Sequence, residues 1–433
     1  MLTQIPVAVE SGLCSRYLCS KSDCDLCARA CPVDAVQIGA EGARVSDACI
    51  ACGACVPACP NGAIEMRGSA TWTSAVPDPE RQGCRSLKSG AASPDLNGGF
   101  DAVCATDRQW GLKFRRLLDT RPPAPRILNI SCSHSAGADA VLVCLGRLTV
   151  PVILESFRHG AARVEILKPS CETCPMRSAG AGMERTVEIA RRVMKFAGIE
   201  PDRLSVVAAP FCPEPAGLPA PLSSRRTFLK SAVGQAAAIL PEPDATREEK
   251  SVGEKFRERI LRKIPSPRRQ HLLELIESLR DSDGATTQTP ADTISLNTVT
   301  ADPAANPANF AGISVSQSCM GCNVCESLCP TDAIRRVESG NVFELYFDPK
   351  SCTACGVCAA ACLPKAITIS RTADPAILFA GERKLIESRR QICRACRASF
   401  VSKQADDPYC PLCMNQERKR RAMARRWVLS GNG

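Results

Sequence analysis

Apolar positions along the chain follow two regimes. In the middle, short unbroken apolar runs alternate with stretches in which apolar residues recur every three or four positions. Phe100 to Cys104, Ala140 to Cys144, Arg163 to Leu167 and Leu204 to Ala209 have the length and content of strands buried on both faces. Trp110 to Leu118, Val150 to His159 and Glu184 to Gly198 have helical spacing, the last with Gly198 as its C-cap. Strands alternating with helices predict a parallel sheet with right-handed crossovers. Nearer the C-terminus, Ile334 to Val337 and Val342 to Phe347 alternate and are joined by Ser339-Gly340-Asn341, which predicts a hairpin. Residues 250 to 280 predict two amphipathic helices. Phe256, Ile260, Leu261 and Ile264 form one stripe and Leu272, Leu273, Ile276 and Leu279 the other, with Pro265 and Pro267 at the break.

Composition sharpens this picture. Only 4% of the 433 residues are aromatic, too few for one large core, so several small domains stapled by metal are expected. The chain has 28 cysteines, most of them in Cys-x2-Cys runs that a disulfide scaffold does not use, which points to a reducing compartment. Residues 69 to 98 and 281 to 309 are rich in small, polar and Pro residues and read as tethers; Cys84 in the first reads as an incidental thiol. Net charge is +10, concentrated in residues 383 to 433, where 13 Lys or Arg face 4 Asp or Glu.

The cysteine spacing carries the chemistry. Cys319-x2-Cys322-x2-Cys325-x3-Cys329-Pro330 is repeated as Cys352-x2-Cys355-x2-Cys358-x3-Cys362-Leu363-Pro364. Three thiolates at such intervals wrap one iron-sulfur cube, and the fourth, next to a proline, serves the other cube. One cluster is therefore assigned to Cys319, Cys322, Cys325 and Cys362, the second to Cys352, Cys355, Cys358 and Cys329. Thr331 to Ile334 and Lys365 to Ile367 are expected as short helical turns leading into strands. Residues 13 to 68 hold a similar unit: Cys49-x2-Cys52-x2-Cys55-x3-Cys59-Pro60 is regular, whereas Cys19-x4-Cys24-x2-Cys27-x3-Cys31-Pro32 is longer at its first step. The crossing rule assigns Cys19, Cys24, Cys27 and Cys59 to one cluster and Cys49, Cys52, Cys55 and Cys31 to the other, with Cys14 as a spare for Cys19. Both units resemble bacterial two-cluster 4Fe-4S ferredoxins. That resemblance implies four 4Fe-4S clusters.

In the central stretch, cysteines fall at or just past the carboxyl ends of the proposed strands: Cys104, Cys144, Cys171 with Cys174, and Cys212. Ligands bind at that edge of open α/β sheets. Cys144-Leu145-Gly146-Arg147, Phe157 to Ala161, Leu167 to Cys174, Arg191-Arg192 and Gly198 to Leu204 resemble the iron-sulfur (delta) subunit of methyl-viologen-reducing hydrogenases, which passes electrons to heterodisulfide reductase. The resemblance implies a 2Fe-2S cluster on Cys144, Cys171 and Cys174. The family's early cysteine pair has no clear counterpart; Cys104 and Cys132 lie nearby. The alternative for this stretch is a docking domain whose thiols are merely buried.

Cys393-x2-Cys396-x13-Cys410-Pro411-x-Cys413 is a four-sulfur knuckle suited to structural zinc, with a single iron as the other occupant. Arg418 to Arg426 then form a basic tail able to dock an acidic redox partner or an anionic membrane surface; the aromatic pattern for stacking bases is missing, which argues against nucleic acid. Ser224-Arg225-Arg226-Thr227-Phe228-Leu229-Lys230 and the apolar run Ala232 to Leu240 match a twin-arginine export signal. So far into the chain they read as a relic of fusion or a basic docking helix, and a cytoplasmic location is expected. Met1 to Pro6 lacks the features of a signal peptide, and no apolar run is long enough to span a membrane.

The expected fold class is thus a multidomain mixture of α+β and α/β. It has two ferredoxin-like modules (1–68 and 311–372) around a parallel-sheet domain (99–215), a linker at 69–98, a helical and tethering segment at 216–310, and a zinc-ribbon-like segment at 373–433. There is no dinucleotide fingerprint, Walker loop or nucleophile elbow, and three histidines exclude a histidine-rich centre. The expected role is electron relay of the polyferredoxin type within a larger oxidoreductase, such as a hydrogenase, a heterodisulfide-reductase-like enzyme or a formate dehydrogenase. Electrons would enter one ferredoxin module, cross the central domain and leave by the other. The rival is an assembly, redox-sensing or nucleic-acid-binding factor with structural clusters.

Overall fold

Short strands with one apolar face cannot bury that face alone, so the N-terminal module closes by pairing distant ends of its segment. β1 (Val7–Val9), α1 (Ser15–Leu18), α2 (Leu26–Arg29), the hairpin of β2 (Val36–Gly39) and β3 (Gly42–Val45), α3 (Cys55–Ala58) and β4 (Ile64–Met66) follow in order. β1 pairs antiparallel with β4, Val7 opposite Met66. Val7, Leu13, Val36, Val56 and Ile64 then form a small core around Cys27, Cys55 and Cys59. The structure, a computed structural model, describes residues 7–66, 107–120, 125–135, 138–172, 174, 176–212, 263–282, 310–372, 374–402 and 408–430. Several expectations lie outside these residues: Cys84 and the 69–98 tether, the strand Phe100 to Cys104, the twin-arginine-like segment with its apolar run, the first amphipathic helix as far as Leu261, and the tether beyond Ser282.

The central domain runs α4 (Asp107–Asp119), β5 (Ile127–Cys132), β6 (Ala140–Leu142), α5 (Val150–Arg158), β7 (Arg163–Pro169), α6 (Arg177–Phe196) and β8 (Leu204–Ala209). All its strands are parallel, in the order β6-β5-β7-β8. β5, next to the middle of the sheet, is absent from the sequence reading. Asn129 and Ser131 interrupt its apolar run and a proline-rich stretch precedes it. The Asn129 main-chain amide donates to Asp139 Oδ2 (2.7 Å), and the Ser131 hydroxyl donates to the Leu167 carbonyl (3.1 Å). α5 starts where Thr149 Oγ1 accepts from the Val152 amide (3.3 Å). α6 begins earlier than expected, at Arg177, because Ala179 and Met183 continue the buried stripe of Val187, Ala190 and Met194. It ends at Gly198 (φ +84°), where the Ile199 amide donates to the Met194 carbonyl (2.8 Å).

α7 (Pro267–Ser282) starts with proline in its first turn, where no amide donor is needed. Leu272, Leu275, Ile276 and Leu279 bury its apolar face in the same core as Trp110, Phe114, Ile153 and Ile166. The C-terminal module follows: β9 (Phe310–Val315), α8 (Val324–Leu328), β10 (Ile334–Ser339), β11 (Val342–Phe347), α9 (Val357–Ala361), β12 (Ile367–Thr372), β13 (Arg383–Ile392), β14 (Ser399–Ser402) and α10 (Pro411–Ser430). β9 pairs with β12. The hairpin turns through Gly340 (φ +58°) and Asn341, and its second strand also pairs with β13, giving a four-stranded sheet β10-β11-β13-β14. The cysteine knuckle is therefore built on the edge of the second module's sheet. Phe310, Ile377 and Leu378 seat this module in the central core. Among the described residues, no helix is long and apolar enough to cross a membrane.

Candidate cysteine-lined metal centres

The same backbone turn follows four of the cysteines. Asp34, Gly62, Asp332 and Lys365 take φ of 52°, 70°, 59° and 54°. The next residue is alanine each time, and its amide donates to the sulfur four residues back: Ala35 to Cys31 (3.2 Å), Ala63 to Cys59 (3.3 Å), Ala333 to Cys329 (3.3 Å) and Ala366 to Cys362 (3.2 Å). The helical turns expected at Thr331 to Ile334 and Lys365 to Ile367 are these left-handed turns instead, since a helix would point the amide away from the sulfur. The short helices α8 and α9 come before the fourth cysteine rather than after it.

A second device surrounds the middle cysteine of three triplets. Ala51 and Gly53 flank Cys52, Gly321 and Asn323 flank Cys322, and Ala354 and Gly356 flank Cys355, all at positive φ between 57° and 82°. An L-residue held there costs about 1 kcal/mol or more. That strain lets the chain reverse twice in five residues and turn successive sulfurs inward.

The thiols gather in fours. Cys329, Cys352, Cys355 and Cys358 line one cavity. Cys31 lies within charge reach of Cys49, Cys52 and Cys55; burial, then Cys31 and Cys49, push the Cys52 thiol up to about 11, against an amide hydrogen bond that lowers it. Burial, then Cys319 and Cys322 and more weakly Cys362, push Cys325 up to about 12. The fourth group departs from the sequence reading. Cys14, not Cys19, lines a cavity with Cys24, Cys27 and Cys59. Cys14 and Cys19 sit at opposite ends of α1. Cys19 is turned into a local bend: its amide donates to the Ser15 carbonyl and its carbonyl accepts from the Ser22 amide, both at 3.0 Å.

In the central domain, Cys132, Cys144, Cys171 and Cys174 line one cavity at the carboxyl edge of the sheet. Cys132 ends β5, so the strand missing from the sequence reading brings the missing thiol with it. Its sequence signal is faint: a cysteine closing a run of alternating apolar residues. Amides of Gly146 and Met176 donate to the sulfurs of Cys144 and Cys174, each at 3.4 Å. Two glycines permit the approach: a Cβ on Gly146 would lie 2.0 Å from the Ala179 carbonyl oxygen, and one on Gly180 would lie 3.3 Å from the Cys171 sulfur. Cys212 is buried but lies off that wall, its amide donating to the His134 carbonyl (2.8 Å). Cys393, Cys396, Cys410 and Cys413 place their sulfurs within 4.8 Å of one another. There the Cys410 amide donates to Cys393 Sγ (3.3 Å) and the Cys413 amide to Cys410 Sγ (3.5 Å).

Neighbouring groups abut. Cys52 packs with Val143, Cys144, Met176 and Cys174, joining the N-terminal module to the central cavity. Asn61, 1% exposed, donates to the Leu13 carbonyl and to Ser15 Oγ (3.1 Å) and accepts from the Thr353 hydroxyl of the C-terminal module. Ser15 also hydrogen-bonds the Cys355 thiol. The two cysteine-rich modules, separated in sequence by the central domain, thus touch each other directly.

Groups of four sulfurs, most of them buried or half-buried and approached by main-chain amides, are the donor sets that iron-sulfur clusters use, and the arrangement defines an iron-sulfur protein of the ferredoxin kind. Comparison with family models agrees. Residues 318–366 match the 4Fe-4S dicluster domain, 44–65 the 4Fe-4S binding domain, and 123–215 the delta subunit of methyl-viologen-reducing hydrogenase. The chain therefore carries two ferredoxin domains with a hydrogenase-delta-subunit-like domain between them in sequence, a composition that supports iron-sulfur electron transfer in an oxidoreductase setting. Comparison with curated proteins gives no match.

Proposed function

We propose that the chain is an electron relay with five cluster sites in spatial series. In order these are Cys132, Cys144, Cys171 and Cys174; then Cys31, Cys49, Cys52 and Cys55; then Cys14, Cys24, Cys27 and Cys59; then Cys329, Cys352, Cys355 and Cys358; and last Cys319, Cys322, Cys325 and Cys362. The first set suits a 2Fe-2S cluster and the others 4Fe-4S clusters, which when bound supply one-electron oxidation and reduction. The observation that carries this order is the double junction, Cys52 against Cys144 and Asn61 against Thr353. It replaces the route expected from sequence order, because the central domain sits at one end of the series. Buried alanines and aliphatic residues keep water from the inner sulfurs, and the amides that point at sulfur favour its charged form.

The far end is the open one. Cys322 is exposed, and Leu363 beside Cys362 is 61% exposed, a surface on which a redox protein would exchange electrons. The Cys393 to Cys413 knuckle holds zinc in a structural role and carries α10, whose Arg418, Lys419 and Arg420 are exposed for an acidic partner. Domain limits at 1–68, 99–215, 311–372 and 373–433 and a cytoplasmic setting complete the reading. The test is a count of iron and acid-labile sulfide in protein purified without oxygen. About 18 irons per chain are expected from four cubes and one two-iron cluster. A colourless chain, or one holding only a few irons, overturns the relay.

A further inference from the structure

One short stretch, Lys263 ahead of α7 and Arg268 and Arg269 in its first turn, delivers three cations to the two inner four-cysteine sites. Lys263 Nζ donates to the carbonyls of Glu326 (2.7 Å), Ser327 (2.8 Å) and Cys329 (2.9 Å). Arg268 Nη1 donates to the carbonyls of Val56 (2.7 Å) and Cys59 (3.2 Å), and its Nη2 to that of Ile64 (3.3 Å), with Asp107 Oδ2 at 3.8 Å from Nε. Arg269, 6% exposed, donates from Nη2 to the Cys352 carbonyl (2.8 Å) and lies 5.2 Å from the Phe310 ring centroid. Cys59 belongs to the Cys14 site, and Cys329 and Cys352 to its neighbour across the Asn61 bridge. The cysteine carbonyls they grip, those of Cys59, Cys329 and Cys352, belong to the two inner sites; toward the outer ferredoxin sites Lys263 and Arg268 reach the carbonyls of Glu326 and Val56, the residues after Cys325 and Cys55.

Reduction of a cluster adds negative charge, and a cation held close by in a poorly polarisable interior favours the added charge. We propose, on the relay reading above, that Lys263, Arg268 and Arg269 set the potentials of the two inner sites above those of the outer ferredoxin sites, so that an electron entering at either end comes to rest in the middle. They are positioning residues for charge: each grips main chain rather than sulfur, and the same grip clamps both ferredoxin modules to the helix.

The test is a redox titration of the full chain, with clusters assembled without oxygen, followed by low-temperature paramagnetic resonance. Arg269→Gln keeps an amide donor and removes the charge. It is expected to weaken reduction of one inner site about tenfold, 59 mV for a one-electron couple, with iron content unchanged and the outer steps unmoved. Arg269→Lys is expected to retain the wild-type value. Lys263→Gln, at a less buried position, lowers the same step and decides the matter if Arg269→Gln loses iron. Full iron content with all steps unmoved in Lys263→Gln and Arg269→Gln overturns the proposal, as does movement of an outer step alone. A wild-type chain without iron-sulfur absorption overturns the relay reading itself, an outcome distinct from either.

Discussion

Cys14 and Cys19 provide a direct contest between spacing and structure. Replacing Cys14 by Ala removes one of four sulfurs on the wall shared with Cys24, Cys27 and Cys59. A cube with three protein ligands is labile, so the expected loss is about four of the roughly 18 irons, or one iron if a three-iron remnant persists. Replacing Cys19 by Ala deletes a sulfur that is 7% exposed but lies off that wall. Its cost is a small void, on the order of 1 kcal/mol of stability, with iron content unchanged. Iron and sulfide analysis of the two variants side by side, with the resonance spectrum of the dithionite-reduced protein, reads both outcomes. Loss of a cube from Cys19→Ala with full iron in Cys14→Ala would refute the placement and restore the ligand set suggested by sequence spacing.

Further outcomes follow from neighbouring features. Asn61→Ala strands the Leu13 carbonyl and the hydroxyls of Ser15 and Thr353 in a buried junction, at about 1–3 kcal/mol for each group left unpaired; denaturation should show the two ferredoxin modules melting separately, and an unchanged single transition would sink the bridge. Gly146→Ala drives a Cβ against the Ala179 carbonyl, a backbone clash worth about 3 kcal/mol or more. It should abolish the absorption of the central cluster and spare the ferredoxin signals. Burial, opposed by Glu155 and helped by Arg158 and Arg115, holds His159 below its usual 6.5. The unfolded chain then binds the proton first, so stability present above pH 6.5 is lost as pH falls toward the lower folded value. His159→Gln should flatten that part of a stability curve measured by denaturant titration, and a slope identical to wild type would exclude the histidine as its source.

What could be read from sequence is what local spacing dictates. The Cys-x2-Cys runs, the hairpin at Gly340 and the strands at Ala140, Arg163 and Leu204 are properties of a few adjacent residues, and each appears in the structure near its expected place. Features that depend on residues far apart were not legible. Cys14 joins its group through α1, seven residues further back than the usual spacing, and Cys132 arrives on a strand whose Asn129 main-chain amide and Ser131 hydroxyl find partners in Asp139 and Leu167. Nothing in the pattern around Lys263, Arg268 and Arg269 announces that they reach the carbonyls of Cys329, Cys59 and Cys352. Amphipathic spacing of α7 gave its buried stripe, while its role as a clamp came from polar residues that spacing ignores. The direct contact of the two ferredoxin modules runs against sequence order for the same reason: chain connectivity constrains which segments follow one another, not which surfaces meet.

The pairing of β11 on both sides has a practical corollary for anyone dividing this chain into parts. A fragment ending at Thr372 would keep every cysteine of the second ferredoxin yet leave the β13-facing edge of Val342–Phe347 bare, with its main-chain groups open to a neighbouring molecule. Such a fragment invites edge-to-edge association, and insolubility there would report a missing cover strand rather than a failure of metal insertion.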